Sequence, residues 1–336
     1  MPWKGEKDPY KIWLSEIILQ QTRVEQGLNY YTKFIEAFPT VHDLAKANEK
    51  KVFKLWEGLG YYSRCKNLII TARKIAYELN GKFPGSYNEI KNLKGVGPYT
   101  AAAISSFAFN EAQAVVDGNV QRVLSRYFGN ETPIDTTAGK KLYQSLAQEL
   151  LDAKQPGIYN QAIMDFGAVI CKPKNPLCSD CVQQHECVAL KKNLLKQLPV
   201  KSKSLVKKDR WLYYFLIQVN EKIYIRQRTG KDIWQNLHEF VLLESPAALD
   251  AIHPNIPFLK KIIGKQPFEI ISVSQVFRQQ LSHQNIHGQF VTIKLQQPLP
   301  ALKDYLLIEK KRLKNYAFPR FINAFLSRFA SQPQLF

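Results

Sequence analysis

Leu93-Lys94-Gly95-Val96-Gly97-Pro98-Tyr99-Thr100-Ala101-Ala102-Ala103-Ile104 reads as a tight turn running straight into an alanine-rich helix. Gly95 and Gly97 frame a bend with no room for a side chain, and Pro98 brings a backbone preset for a first helical position. The N–H groups of such a turn face outward, where they can hold a phosphate oxygen. An ordinary connection between two helices looks the same, so the surroundings must decide. Asp117 follows shortly downstream in VVDGNV.

Upstream, Asp8 and Pro9 read as a cap and a first helical position, opening a helical pattern to about Phe38 with a break near Gly27. Thr40, Ser63, Ser86 and Thr137 are further cap candidates, and Asn80-Gly81 is a stop. On the first helix Ile12, Trp13, Leu14, Ile17, Ile18 and Leu19 surround the axis, leaving Lys11, Ser15 and Thr22 as the polar side. Glu16 and Gln20 lie off that side, so a carboxyl group is directed into apolar surroundings. Such burial disfavours the ionised form and raises the pKa, as a general acid near neutral pH needs; a buried structural glutamate satisfied by an arginine is the competing reading. Strand-like alternation is scarce up to Cys187, so this part is an all-α module.

The chain has 336 residues, 45% of them hydrophobic, enough for two domains with separate cores. Its formal charge of +19 favours a polyanionic partner, nucleic acid or an anionic membrane surface. No stretch approaches the roughly 18 to 20 apolar residues needed to span a bilayer, and MPWKGEKDPY carries no signal-peptide core. A soluble, cytoplasmic monomer with no membrane partner is expected.

Cys65 stands alone in a helical segment and reads as a buried thiol. Cys171, Cys178, Cys181 and Cys187 form C-x6-C-x2-C-x5-C. Without a signal sequence a metal site is favoured over disulfides, and four thiolates suit either zinc or an iron-sulfur cluster. After Cys187 the run KKNLLKQLPVKSKSLVKKDR is basic and reads as a linker. From Trp211 the period shifts toward two: LYYFLIQV, KIYIRQR, FEIISVSQVF and QFVTIKL are strand candidates, with helices expected near Pro246 to Ile252 and Arg320 to Phe329.

The turn GVGPYTA with Asp117 downstream, WLSEIILQQTRV around Glu16 and the cysteine spacing together resemble the adenine DNA glycosylase (MutY) family of the helix-hairpin-helix superfamily. The resemblance implies an all-α helix-hairpin-helix module over 1–190 with an iron-sulfur loop at 171–187, a linker over 191–210, and an α+β Nudix-like domain over 211–336. It implies a 4Fe-4S cluster on the four cysteines, with Lys172 and Lys174 presenting charge to DNA. The partner it implies is double-stranded DNA carrying adenine opposite 8-oxoguanine. Glu16 would protonate adenine, Asp117 would face the oxocarbenium-like sugar, and Asn119 would serve as polar partner to water and Asp117. Tyr99 occupies the slot where bifunctional relatives carry an imine-forming lysine, which implies base removal without strand cleavage.

Gln21 and Tyr61 match wedge residues that fill the gap left by an extruded base. Trp3 and Gln161 match the adenine pocket, although Lys4 stands where the family commonly has arginine. Gly95 and Gly97 would hold the DNA backbone. In the second domain the catalytic Nudix acids cannot be found, so a reader is implied rather than a pyrophosphohydrolase. Leu281-Ser282-His283, flanked by Arg278 and Gln279, takes the place of the family's Phe-Ser-His hairpin for 8-oxoguanine. Two other functions compete: a thymine or oxidised-pyrimidine glycosylase of the same fold, and a non-catalytic iron-sulfur DNA-binding protein.

Overall fold

In a computed structural model residues 4–202, 207–249 and 257–329 are described. Asp8 opens α1 (Pro9–Leu19) by accepting from the Tyr10 N–H at 2.9 Å, with Pro9 at the first helical position. Ile12, Trp13, Leu14, Ile17 and Ile18 are all buried, because α1 is covered on every side rather than along one stripe. The chain then turns at Gln20 to Arg23, with Gln21 at φ +56°, and continues as α2 (Val24–Ala37). The break expected near Gly27 therefore falls earlier. Gly27 sits inside α2 for a packing reason: a Cβ there would come within 2.7 Å of Leu19 Cδ2.

Next come α3 (Val41–Lys46), α4 (Glu49–Trp56) and α5 (Tyr62–Arg73), the last beginning before the expected cap Ser63. The Thr40 hydroxyl caps α3 by accepting from the Asp43 N–H at 3.2 Å. A short π-helical turn, Lys74–Glu78, ends at Asn80 and Gly81, both at positive φ. Ser86 and Glu89 form a reciprocal capping box on α6 (Tyr87–Lys91), and the hairpin follows before α7 (Pro98–Phe109). α8 (Gly118–Phe128), α9 (Thr137–Leu150), α10 (Pro156–Val169) and α11 (Val188–Lys191) complete the helices of this region. Thr136, not Thr137, caps α9, its hydroxyl accepting from the Gly139 N–H at 3.0 Å.

The rest is built on strands: β1 (Lys208–Val219), β2 (Lys222–Gln227), β3 (His238–Glu239), β4 (Val241–Ser245), β5 (Phe268–Val273), β6 (Phe277–Gln280), β7 (Gln284–Leu295) and β8 (Leu306–Glu309). Their order is β3-β2-β1-β7-β5, with β4 on β1, β6 on β7 and β8 on β2. β1 and β7 run parallel through twelve paired positions at the centre; the other pairs are antiparallel. A Cβ at Gly288 would meet Leu212 O at 2.2 Å, so β7 approaches β1 there only as glycine.

Both faces of β1 are apolar because both are covered. Tyr213, Phe215, Ile217 and Val219 pack with Leu259 and Ile263 of α12 (Pro257–Ile263). On the opposite face Tyr214 stacks on Phe290 at 5.4 Å, and Phe290 stacks on Phe325 of α13 (Arg320–Phe329) at 4.0 Å. The expected C-terminal helix is present over the expected span. The one expected at Pro246 to Ile252 is not: residues 246–249 are non-helical, 250–252 lie outside the described residues, and the helix forms after Pro257 instead.

Contacts divide the chain into a unit of residues 1–46 and 67–204 and a unit of 47–66 and 205–336. Segment 47–66 belongs with the sheet: Glu57 Oε1 accepts from the Phe318 N–H at 2.8 Å, and Lys54 Nζ donates to Tyr316 O at 3.0 Å. Residues 191–202 are no free linker: the Arg126 guanidinium donates to Leu195 O at 2.9 Å and Leu198 O at 3.1 Å, and the Ile134 N–H to Val200 O at 3.0 Å. β1 then begins at Lys208, inside the expected linker. Among the described residues no helix is long and apolar enough to cross a membrane.

Candidate active site

Glu16 is carried on the fully packed helix α1, and its side chain is buried, with 8% of the residue exposed. Tyr99, the second residue of α7, donates its hydroxyl to the Glu16 carboxylate. Burial pushes the Glu16 carboxyl up to about 7; the Tyr99 hydroxyl works against that rise, and nearby Asp117 adds to it. Tyr99 is itself deeply buried, which raises its phenol well above the ordinary tyrosine value.

Asp117 is the N-cap of α8, and the cap fixes its carboxylate. Its Oδ1 accepts from the N–H groups of Asn119 and Val120, both at 2.8 Å. Its Oδ2 accepts from Asn119 Nδ2 at 2.8 Å. Asn119 Oδ1 in turn accepts from Arg122 Nη2 at 2.8 Å, and Arg122 also donates to Gly167 O at 2.7 Å and Cys171 O at 2.8 Å. A buried guanidinium thus ties the capping carboxylate, α10 and the first cysteine together. The sequence reading missed Arg122; its signal was the Asn119, Arg122, Arg126 spacing, which stacks two arginines on one face of α8.

Glu16, Tyr99, Asp117, Asn119 and Gln161 all line one cavity of about 880 Å³, with Gln20, Gln21 and Asp165 also on its wall. Ile12, Leu19, Phe107 and Met164 give it apolar sides beside these few polar groups, the composition of a site for a small organic group. Trp3 lies outside the described residues.

The hairpin between α6 and α7 is held from α5: Thr71 Oγ1 donates to Lys94 O at 2.8 Å. Gly95 has φ +79°, and a Cβ there would meet Asn67 Cβ at 2.6 Å, so the fold itself demands glycine. Gly97 differs. It has an ordinary extended backbone, and a Cβ there would meet no atom of the protein within 4 Å. Gly95→Ala is therefore expected to cost about 1–3 kcal/mol of stability while Gly97→Ala changes it by less than about 0.5 kcal/mol, measured by urea unfolding.

In the other unit Tyr61 and Ser282 meet, Tyr61 Oη to Ser282 Oγ at 2.5 Å. Ser282 and His283 are exposed in the turn between β6 and β7, which the Leu281 N–H closes onto Gln284 O at 2.8 Å; Leu281 is half-buried. Tyr61 is held at φ +48° beneath the Arg64 guanidinium, 5.7 Å from its ring centre. Gln21 and Tyr61 are both non-glycine residues in the left-handed region, a strained backbone that clusters at functional loops.

None of the cysteines is in a disulfide, and Cys65 is buried as expected. Burial raises the Cys178 thiol, and Cys171, Cys181 and Cys187 raise it further. Arg126 Nη1 lies 3.5 Å from Cys171 Sγ. As placed, no three His, Cys, Asp or Glu side chains among the described residues converge closely enough to hold a metal ion.

Residues 14–150 match the model of the HhH-GPD superfamily base excision DNA repair proteins, and residues 213–328 match that of the NUDIX domain. An adenine DNA glycosylase of Buchnera aphidicola subsp. Baizongia pistaciae is 34% identical over 85% of this chain and 79% of its own length. The chain belongs to the adenine DNA glycosylase family. The human adenine DNA glycosylase is 43% identical over 59% of this chain and 38% of its own length. Among solved structures a thermostable thymine-DNA glycosylase matches with TM-score 0.53 and 32% identity, covering 57% of this chain and 88% of its own. An endonuclease III bound to DNA matches with TM-score 0.50 at 22% identity, covering 56% of this chain and 87% of its own, which shares the helical fold. The two family matches correspond to a helix-hairpin-helix module followed by a Nudix-like sheet.

Proposed function

We propose that this chain is a monofunctional glycosylase that hydrolyses the N-glycosidic bond of adenine paired with 8-oxoguanine, or with guanine, in duplex DNA. The observation that carries the reading is the convergence on one cavity of the buried Glu16 carboxyl, pushed up by that burial, and the fixed Asp117 carboxylate. Adenine leaves poorly until a ring nitrogen is protonated. Glu16 gives its proton to N7, the bond between C1′ and N9 breaks with its electron pair passing to the base, and the cationic sugar is met by Asp117. Water then adds at C1′, positioned with Asn119, and its proton leaves to solvent or to Glu16.

Tyr99 offers a phenol and no amine, so no imine with the sugar forms and the strand stays whole. By resemblance, Gln21 and Tyr61 are each assigned as wedge residues beside an extruded base. Ser282 and His283 read the oxidised guanine, with Leu281 as an aliphatic wedge. Gly95 shapes the hairpin and Gly97 leaves its N–H edge open to a backbone phosphate, so Gly97→Ala weakens lesion-duplex binding about tenfold or more at unchanged stability. Gln161 lines the adenine pocket, and Trp3 is assigned there by resemblance alone.

Cys171, Cys178, Cys181 and Cys187 would hold a 4Fe-4S cluster; in donor chemistry four free thiols within one short segment fit such a group. When bound, the cluster stiffens the loop that presents Lys172 and Lys174. The protein acts as a monomer in the cytoplasm.

The likeness to a solved thymine-DNA glycosylase makes thymine the natural alternative base. Duplexes carrying adenine opposite 8-oxoguanine and thymine opposite guanine separate the two. Free adenine from the first, with strand breakage only after hot alkali, is the expected result. Thymine release from the second, or breakage before alkali, contradicts it.

A further inference from the structure

Asp165 lies one turn after Gln161 on α10, and both face the cavity. Gln161 Nε2 donates to Asp165 Oδ1 at 3.3 Å, and Asp165 Oδ2 is clamped by the ammonium of Lys4. A carboxylate can only accept hydrogen bonds. Whatever else surrounds it, the Gln161 amide must therefore turn its NH2 edge toward Asp165, and its carbonyl oxygen is the edge left over. Among the described residues no donor engages that oxygen.

We infer that Asp165 is a positioning residue that fixes the Gln161 carbonyl as an acceptor in the cavity, selecting a base with an exocyclic amino group over one with a carbonyl at the same place. The inference rests on the glycosylase reading above and adds to it the device by which adenine is told from hypoxanthine. The two purines have nearly the same shape and differ at position 6, amino in one and carbonyl in the other. An amide free to flip would serve either. An amide locked with its oxygen inward gives the amino group a partner and sets two acceptors against each other for hypoxanthine, a discrimination of chemistry rather than size. Lys4 contributes by holding the carboxylate at the rim, which a neutral residue would not do.

The experiment compares single-turnover release of adenine and of hypoxanthine, each opposite 8-oxoguanine, by the wild-type protein and by Asp165→Asn, Asp165→Leu and Asp165→Glu. Asp165 is 33% exposed, so the near-isosteric Asn variant keeps the fold; thermal unfolding of each variant checks this. The adenine-to-hypoxanthine rate ratio is expected to fall about tenfold or more in Asp165→Asn and Asp165→Leu, with Asp165→Glu restoring most of it. A ratio unchanged in all three variants, whatever the absolute rates, overturns the role of Asp165 while leaving the reaction intact. A wild-type protein that frees neither purine overturns the glycosylase reading, and this inference with it.

Discussion

Asp117→Asn is expected to lower single-turnover adenine release about 10³-fold or more while leaving fold and DNA binding in place. Asparagine is as good a helix cap as aspartate, so the N–H groups of Asn119 and Val120 keep an acceptor and α8 keeps its start. What is lost is the charge opposite the developing sugar cation, in a cavity where one electrostatic partner is worth about 10²–10³ in rate. A second effect has the same sign. The Asn119 amide now donates to Asp117 Oδ2, and an asparagine there sets NH2 against NH2 unless one amide flips away from its other partners. Retained binding to the lesion duplex with lost turnover is the signature; a variant that turns over normally removes Asp117 from the chemistry.

Glu16→Gln is expected to lower the same rate by about 10²–10⁴, the range for a positioned proton donor. Glutamine keeps the volume, and its amide can still accept from the Tyr99 hydroxyl, so the substitution removes a proton source and little else. The variant should fold at least as well as the wild type above neutral pH. The sign follows from the raised folded-state value: Glu16 in the folded chain binds its proton more tightly than in the unfolded chain, so its contribution to stability is complete at low pH and is lost as pH rises toward about 7. Urea unfolding above pH 7 that shows the variant clearly less stable would indicate a paired, ionised Glu16 instead.

Local signals in the sequence were strong where local physics decides. The buried direction of Glu16 followed from helical spacing, because α1 is apolar around most of its circumference. The hairpin followed from Gly95, Gly97 and Pro98, and α13 from its period. Arrangements set by distant contacts were not legible. Gly27 looks like a break in the sequence, yet only its contact with Leu19 explains why it lies inside α2. Nothing local in 47–66 announces the bonds that Glu57 and Lys54 make to residues about 260 positions later, by which the segment groups with the sheet in its contacts. Arg122 and Asp165 look like ordinary helical charges until their partners on Cys171, Asn119, Gln161 and Lys4 are known.

Base release turns on a Glu16 carboxyl that is still protonated near neutral pH and gives its proton to the base in the cavity. The pH profile of single-turnover adenine release tests this most directly. It should fall with a midpoint at about 7 as pH rises, and that limb should vanish in Glu16→Gln. A wild-type rate that stays level through neutral pH, or a limb that survives in the variant, would contradict it.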